Sequence, residues 1–206
     1  MGLPTPDGGM HKGKFQNLQS RLAKRILLWG NQSQGGKEIL IKAVAQALPT
    51  HIMGVFKLPF ELCDDLTHIT RNFWWGAKNG KRKTHWVAWD NMVKPKSHGG
   101  MGFRDMRLFN QALLARQAWR LLQELETLSA RVLRARYYAD ANILDATLGQ
   151  APSQVWRSIL EGRDVLSLGL IKRIGDGSTT RIWSDNWIPR DVMMRPFGQG
   201  MNNPLC

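Results

Sequence analysis

Two groups of helical patterns are separated by the stretch FWWGAKNGKRKTHWVAWDNMVKPKSHGGMGFRD, residues 73–105. This stretch contains four of the nine tryptophans, a Lys-Arg-Lys run and a Gly-Gly pair. Pairs such as Asn-Gly and Gly-Gly favour turns, and residues 84–89 alternate loosely between polar and apolar, as a short strand does. We therefore expect residues 76–104 to form a basic, tryptophan-rich connector between two helical parts.

The sequence before the connector is dominated by helical spacing. Apolar residues recur every three or four positions and predict helices over 14–29, 37–48 and 60–75. The second of these helices ends at a proline, which cannot continue the hydrogen bonds of a helix. Residues 14–75 are therefore predicted to form an N-terminal helical part.

The sequence after the connector predicts more helix and then a hairpin. Asp105 or Asn110 begins the longest apolar pattern, and Thr127 is suited to cap a separate helix, so this pattern is one helix or two. Asp176-Gly177 lies between two short β-type runs and predicts a small C-terminal β-hairpin. The predicted fold class is mainly α. Its parts are a disordered tail at 1–13, helices at 14–75, the connector at 76–104, helices at 105–168, the hairpin at 169–190 and a tail at 191–206.

The charge of the chain favours a polyanionic partner. The 206 residues carry a net charge of +13, with a pI near 10.4. Residues 1–60 contribute +6 of this charge and residues 61–110 contribute +4. Nucleic acid is the first candidate partner and an anionic membrane surface the second, while the alternative is that the charge serves only solubility. We expect no membrane span, because no apolar run approaches the ~18 residues that one needs.

Two sequence features only superficially resemble sites of chemistry. Gly30 and Gly36 precede Lys37 as in a phosphate-binding loop, but their spacing is wrong and Glu38 replaces the required hydroxyl. The run 138–141, Tyr-Ala-Asp-Ala, resembles the Tyr-x-Asp-Asp turn of reverse transcriptases, yet it lacks the second carboxylate that paired metal ions require. The five histidines have no metal-ligand spacing. We therefore predict no catalytic residue, no metal site and no cofactor.

Seven basic residues in and just after the connector are the candidate contacts to nucleic acid. Basic side chains offset phosphate charge, and neighbouring aromatic rings can stack on unpaired bases. The alternative is that the tryptophans belong to the core and that the cations lie in a solvated loop. The candidates are Lys81, Arg82, Lys83, Lys94, Lys96, Arg104 and Arg107.

Long segments of the sequence resemble plant LINE-type (non-LTR) retrotransposon reverse transcriptases. The similarity is collinear from about residue 14 to about residue 190, and it extends to stand-alone open reading frames of this origin in plant mitochondrial genomes. The segments that carry it are GKEILIKAVAQALPTHIMGVFKLP (36–59), the stretch 73–105, FNQALLARQAWRLL (109–122), RVLRARYY (131–138), PSQVWRSIL (152–160), GRDVL (162–166) and IGDGSTTRIWSDNWIP (174–189).

The resemblance implies the region that follows the polymerase palm in these enzymes. It implies a helical, thumb-like region with a tryptophan-rich connecting segment, which leads toward a zinc-binding segment and a ribonuclease H-like domain. The palm with its Tyr-x-Asp-Asp motif would lie upstream of this chain. No residue here matches a catalytic residue of the family, so we expect no enzymatic activity from the chain alone.

The sequence leaves more than one function open. The first hypothesis is a non-catalytic fragment that binds RNA or DNA, as a template–primer type duplex or a single strand, weakly and without sequence preference. The missing palm is a further partner in that case. The second hypothesis is a retroelement relic with no selected biochemical role, and the third is a nuclease, which the lack of clustered carboxylates disfavours. Membranes are not expected as partners, and the compartment is the nucleus or the mitochondrion.

Overall fold

The computed structural model of the chain describes residues 12–78, 81–82, 84–178, 180–183 and 185–189. It is mainly helical, as the sequence predicts. The α-helices are α1 (Gln16–Trp29), α2 (Gln34–Leu40), α3 (Thr50–Met53), α4 (Phe60–Trp75), α5 (Trp89–Val93), α6 (Met106–Gln123), α7 (Leu128–Tyr137) and α8 (Gln154–Gly169). Two 3-10 turns, Lys12–Phe15 and Lys96–His98, a π-helical segment, Ile41–Ala45, and two short strands, β1 (Ala77–Lys78) and β2 (Lys81–Arg82), complete the described elements.

Side-chain caps determine where several helices begin. The Asp105 carboxylate accepts hydrogen bonds from the backbone N–H groups of Arg107 and Leu108, at 2.8 and 3.0 Å, and so begins α6. The Thr127 hydroxyl accepts from the N–H of Ala130 at 3.4 Å and begins α7. These caps satisfy donors that have no partner inside the helix. The long apolar pattern is therefore two helices rather than one.

The main core is formed by α1, α3, α4 and α6. Leu22, Leu62 and Leu66 are fully buried in it, together with Met53 from the short α3. Fully burying such a side chain stabilises the folded state by about 1.5–3 kcal/mol. The apolar spacing that predicts these helices from the sequence is therefore the spacing that builds the core.

The connector packs onto the end of α4 through aromatic side chains. Trp74 and Phe103 are both buried, with ring centroids 5.2 Å apart in an edge-to-face arrangement. Trp89 stacks on the same Phe103 ring at 5.2 Å. Residues 84–88 are exposed and form no strand, and α5 begins directly after them, so the expected short strand at 84–89 is wrong.

A second aromatic cluster fixes α8 against α7. Trp156 is fully buried, and the rings of Tyr137 and Tyr138 stack on it at 4.8 and 5.5 Å. Further along α8, Gly162 meets α6 closely, because a Cβ added there would lie 2.2 Å from the carbonyl carbon of Leu114. The helix can therefore approach the backbone of α6 only where it carries a glycine.

The chain divides into two units, residues 1–165 and 166–206. The predicted β-hairpin at 169–190 is wrong for the described residues of the second unit, where no strand is found. The chain does bend near Asp176-Gly177: the Asp176 carboxylate accepts from the N–H and the hydroxyl of Ser178, and the N–H of Thr180 donates to the carbonyl of Gly177. Beyond it, the Asp185 carboxylate accepts from the ammonium of Lys172 at 2.7 Å and from the N–H of Arg181 at 2.9 Å. One backbone bond, from the N–H of Lys172 to the carbonyl of Asn186 at 2.6 Å, also joins the two sides, but the described residues form no strand ladder here.

Candidate nucleic-acid interface

The Lys-Arg-Lys run begins in a two-stranded ladder. Lys81 and Arg82 form β2, which pairs antiparallel with β1 in the register Ala77 to Arg82 and Lys78 to Lys81. Lys83 lies outside the described residues. The structure therefore gives no side-chain geometry for these three candidates, and their contact with nucleic acid stays a prediction.

The segment 92–103 is a compact turn that carries the next two candidates. The N–H of Met101 donates to the carbonyl of Met92, and the N–H of Gly102 donates to the carbonyl of Lys94, both at 2.9 Å. Gly100 is required for this closure, because a Cβ there would lie 1.9 Å from the carbonyl oxygen of Lys94. The turn therefore holds Lys94 and Lys96 at fixed backbone positions, and both residues are exposed.

An excess of positive charge collects where this turn meets the π-helical segment. The Glu38 carboxylate accepts from the ammonium groups of Lys42 at 2.7 Å and Lys96 at 2.8 Å. The hydrogen bond from Lys42, and then that from Lys96, lowers the pKa of Glu38 below its usual value. Lys94 makes no ion pair within the described part of the chain. We call Glu38, Lys42, Lys94 and Lys96 the loop patch, in which two cations pair with one carboxylate and exposed Lys94 lies two residues from Lys96.

The last two candidates, Arg104 and Arg107, contact different residues from those of the loop patch. The guanidinium of Arg104 lies over the Phe109 ring, 4.3 Å from its centroid. Arg107 forms an ion pair with Asp64 at 2.5 Å, and its guanidinium lies 5.0 Å from the centroid of the Phe60 ring. The hydrogen bond to Asp64 raises the pKa of Arg107 further. The structure therefore joins Lys96 to Glu38 of α2, while Arg107, at the start of α6, contacts the first residues of α4.

The four tryptophans of the stretch 73–105 divide between core and surface. Trp74 is 7% exposed and belongs to the core, and Trp89 is partly covered by Phe103. Trp75 stacks on the ring of His85 at 5.7 Å. Trp86 is 82% exposed, so it is the one connector tryptophan among the described residues whose ring is largely open to solvent. The core interpretation is thus right for Trp74, and Trp86 is available to stack on a base.

Sequence reasoning missed the contribution of α2 to the loop patch. Glu38 and Lys42 are four residues apart on one helical face, a spacing that predicts an ion pair. The ion pair between Glu38 and Lys96 joins residues 58 positions apart in the sequence, so no local pattern predicts it. Lys37, the lysine of the imperfect phosphate-loop motif, is buried, and its ammonium donates to the carbonyl of Trp74 at 3.1 Å. Its position is therefore structural.

The features that resemble catalytic or metal sites have structural explanations where they are described. Ser33 accepts from the N–H of Gly36 at 3.2 Å and caps α2, so the glycine-rich run is a loop that leads into a helix. Tyr138 is 6% exposed and packs on Trp156, and Asp140 is exposed in the turn after α7. In the described ranges, no cluster of three or more His, Cys, Asp or Glu side chains could hold a metal ion.

Comparison with known proteins gives two plant relatives. The chain is 44% identical over 152 residues to "Uncharacterized mitochondrial protein AtMg00310" of Arabidopsis thaliana, a match that covers 73% of this chain and 99% of that protein. The chain belongs to the family of this mitochondrial protein. No protein-family model matches the chain, and no solved structure matches it.

A longer relative covers more of the chain. The chain is 34% identical over 192 residues to "Putative ribonuclease H protein At1g65750" of the same plant, a match that covers 90% of this chain. The matched region spans 31% of that protein. The two relatives are consistent with a retroelement-derived sequence. No helix in the described part of the chain is both long and apolar enough to cross a membrane.

Proposed function

We propose that this chain is a non-catalytic part of a retroelement reverse transcriptase, equivalent to its thumb and connection region, that binds nucleic acid weakly and without sequence preference. The resemblance of its long segments to LINE-type reverse transcriptases supports this origin, and so does the similarity to a longer protein named for ribonuclease H. The partners are a template–primer type duplex or a single strand of RNA or DNA. The polymerase palm of an intact enzyme is a further partner.

The observation that carries the binding proposal is the loop patch. The ammonium groups of Lys42 and Lys96 share the one carboxylate of Glu38, and Lys94 adds a third cation with no ion pair among the described residues. The side chain of Lys96 remains 66% exposed although it is paired. Lysine is a compact point charge on a flexible stem and lacks the rigid fork of donors that arginine has. Such a patch attracts phosphate groups in proportion to their charge, so it contributes affinity and no base specificity.

Trp86 adds a different kind of contact to the same region. It follows the Lys-Arg-Lys run by three residues, and its ring is 82% exposed. A base that stacks on an aromatic ring gains about 1–3 kcal/mol, whichever base it is. Unpaired bases offer a free face for stacking, whereas bases inside a duplex do not. The patch and Trp86 together favour a strand with at least one unpaired end.

A salt titration of nucleic-acid binding tests the proposal. Filter binding of a labelled single strand and of an RNA–DNA hybrid is measured with the wild-type chain and with the K94E/K96E variant. We expect the logarithm of the binding constant to fall linearly with the logarithm of salt concentration, with a slope smaller in magnitude by about 1–2 in the variant. The matched control is R116E/R131E, which reverses two exposed arginines on α6 and α7 and changes the net charge equally.

The outcomes of this titration separate the two hypotheses. If the control variant loses as much affinity as K94E/K96E, the net charge of the chain is responsible and the loop patch is not the site. If the wild-type chain shows no salt-sensitive binding, the relic without a biochemical role is the better hypothesis. Charge reversal at Lys81, Arg82 and Lys83 in the same assay tests the remaining part of the predicted surface.

We also propose that the chain alone has no polymerase or nuclease activity. Phosphoryl transfer by two metal ions requires carboxylates clustered around the cations, and Tyr138 and Asp140 lie in a turn that serves packing. Primer extension and metal-dependent cleavage assays on the isolated chain test this expectation. The mitochondrial relative favours the mitochondrion over the nucleus as its compartment.

A further inference from the structure

A cleft of about 250 Å³ lies between the start of α4 and the first half of α8. It is separate from the loop patch and shares no residue with it. Its lining combines cations, one carboxylate and an aromatic ring that is 55% exposed, that of Phe60. The residues that matter here are Lys57, Pro59, Phe60, Arg157, Ser158 and Glu161.

One wall of this cleft is held in place by buried hydrogen bonds. The N–H of Lys57 donates to the hydroxyl of Ser158 at 2.9 Å, and the N–H of Leu58 donates to the side-chain carbonyl of Asn110 at 2.8 Å. The Asn110 amide in turn donates to the carbonyls of Met53 and Phe56, at 2.7 and 3.0 Å. The backbone at 57–60 is thus fixed before any ligand arrives, which lowers the entropic cost of binding.

The charges of the cleft leave one cation without a carboxylate. Lys57 forms an ion pair with Glu161, so these two charges offset each other. Arg157 is exposed on the same cleft and makes no ion pair within the described part of the chain. Guanidinium groups bind phosphate through two parallel hydrogen bonds. An anionic group of a ligand would therefore bind at Arg157.

The Phe60 ring and the Arg107 guanidinium lie together at the edge of the cleft, and the Lys57 ammonium lies 5.9 Å from the centroid of the same ring. We call the exposed parts of the ring and the guanidinium the Phe60–Arg107 surface. The Arg107 guanidinium lies 5.0 Å from the Phe60 ring centroid and is held by its ion pair with Asp64. The side chain of Arg107 remains 46% exposed. Unpaired bases stack both on aromatic rings and on guanidinium planes. This pair therefore offers a stacking surface next to a free cation.

We infer that this cleft binds one unpaired nucleotide of a nucleic-acid strand, with its phosphate on Arg157 and its base on the Phe60–Arg107 surface. The inference rests on the proposed function and adds a preference for single strands or overhangs. At about 250 Å³ the cleft is smaller than the ~300–1,000 Å³ of sites that enclose a whole small molecule. It suits one unit of a longer chain, and the combination of a cation with a stacking surface fits a nucleotide better than an acidic side chain.

Two single variants test this inference on the full chain. F60L removes the aromatic ring but keeps an apolar side chain, and R157Q removes the free cation but keeps a polar one. Binding of a short labelled oligodeoxyuridylate and of a blunt duplex of equal length is measured by fluorescence anisotropy at constant salt. We expect each variant to weaken single-strand binding by at least about fivefold, and duplex binding by less than about twofold.

Controls keep the result specific to the cleft. R131Q removes an exposed cation on α7 and is expected to weaken both probes slightly and equally. A thermal melt by circular dichroism verifies that each variant folds. In addition, an iodouridine-substituted strand should crosslink to the peptides that contain residues 57–60 or 154–161, and F60L should remove the first of these crosslinks.

The possible results differ for the inference and for the proposed function. If the wild-type chain binds and K94E/K96E weakens binding, but F60L and R157Q do not, only the nucleotide cleft is wrong. Equal losses for single strand and duplex would also overturn it, because the cleft would then act through charge alone. Competition by polyglutamate that is lost in F60L would assign the cleft to an acidic protein segment instead. If the wild-type chain binds neither probe, both proposals fail.

Discussion

Asn110 shows how one side chain can organise a turn and a binding surface at once. It is 3% exposed and makes three hydrogen bonds to backbone groups of residues 53–58. Replacement by alanine leaves a buried N–H and two carbonyls without this partner, and each such group costs about 1–3 kcal/mol. We expect N110A to lower the free energy of unfolding by about 2–4 kcal/mol in urea titrations.

Asn91 provides the matched comparison for this variant. It is exposed on α5 and makes no side-chain hydrogen bond within the described part of the chain. N91A should therefore change the free energy of unfolding by no more than about 0.5 kcal/mol. If N110A and N91A have the same effect, Asn110 does not organise the turn at 53–58.

Cys63 provides a pH-dependent test of the main core. Its free thiol is 2% exposed, and burial raises its pKa from an ordinary value of 9.0 to about 11. Between these values the unfolded thiol has lost its proton and the folded thiol has not, so folding becomes less favourable as pH rises. The contribution of Cys63 to stability is thus complete below about pH 9 and is lost towards pH 11.

The free energy of unfolding of C206S and of C63A/C206S is measured by urea titration between pH 8 and pH 11. Groups other than Cys63 titrate in both variants, so their contributions cancel in the difference. We expect the free energy of unfolding to fall more steeply with pH in C206S than in the variant without Cys63. In folded C206S the Cys63 thiol should also resist alkylation, whereas in urea it should be alkylated readily. Parallel pH profiles for the two variants would show that the thiol is not buried as described.

Residues with a local role were predictable, whereas residues with a long-range role were not. Asp105 and Thr127 cap helices three residues or fewer from their own position. The sequence offers Asp105 as one of two candidate starts, with Asn110, and Thr127 as a candidate cap. The partners of Asn110 lie 52 to 57 residues away, and its place in an apolar helical pattern hides its function. Lys96 likewise meets Glu38 only after the chain has folded.

At the scale of elements, the packing of α8 on α6 depends on Gly162. Helix propensity alone predicts that alanine at this position stabilises the helix by about 1 kcal/mol. The added Cβ, however, would lie 2.2 Å from the carbonyl carbon of Leu114 and 2.5 Å from the nitrogen of Ala115. Backbone atoms cannot move aside as a flexible side chain can, so G162A should lower the free energy of unfolding by about 1–3 kcal/mol.

Gly35 in α2 is the control for this helix prediction. A Cβ at Gly35 meets nothing within 4 Å, so G35A should leave stability unchanged or raise it slightly. The measurement is the thermal midpoint, which for a chain of this size shifts by about 2–4 °C for each kcal/mol. Stabilisation by both substitutions would mean that α8 does not approach α6 at Gly162.

The sequence predicts helices better than the hairpin, because helix bonds are local and strand pairing is not. A helix is closed by bonds between residues four apart, so periodic apolar spacing predicts α4 with the bounds that the structure has. A hairpin also needs two strands that bond along their length. At 172–186 one backbone bond, from the N–H of Lys172 to the carbonyl of Asn186, joins the two sides, and the Asp185 carboxylate takes the N–H of Arg181 that a strand would use. The chain bends where the sequence places the turn, but the predicted strands on either side of it are wrong for the described residues.

For the whole molecule, charge is the property that the sequence conveyed most directly. The net charge of +13 predicts a polyanionic partner, although only the structure separates exposed cations from those with a structural role. Lys37 is buried, and Lys57 and Arg107 are paired with carboxylates, whereas Lys94 and Arg157 make no ion pair among the described residues. The fold thus separates cations with a structural or fully paired role from those that remain available to a phosphate group.

The same excess of charge has a consequence for stability. With 29 basic and 16 acidic residues, the folded chain brings like charges together, and salt screens their repulsion. Salt also weakens exposed ion pairs such as Arg107–Asp64, but each of these contributes only about 0–1 kcal/mol. Because the excess cations outnumber these few pairs, repulsion is the larger effect. We therefore expect the thermal midpoint to rise by a few degrees as sodium chloride increases through the physiological range.

The variant K24E/R25E isolates the role of net charge in this rise. Both residues are exposed on α1, and the double reversal lowers the net charge by four without touching the loop patch or the Phe60 cleft. Its midpoint should start higher at low salt and rise less, because less repulsion remains to be screened. Equal salt dependence in the two proteins would assign the effect to ion binding at particular sites. A midpoint that falls with salt would show that the ion pairs contribute more to stability than the repulsion costs.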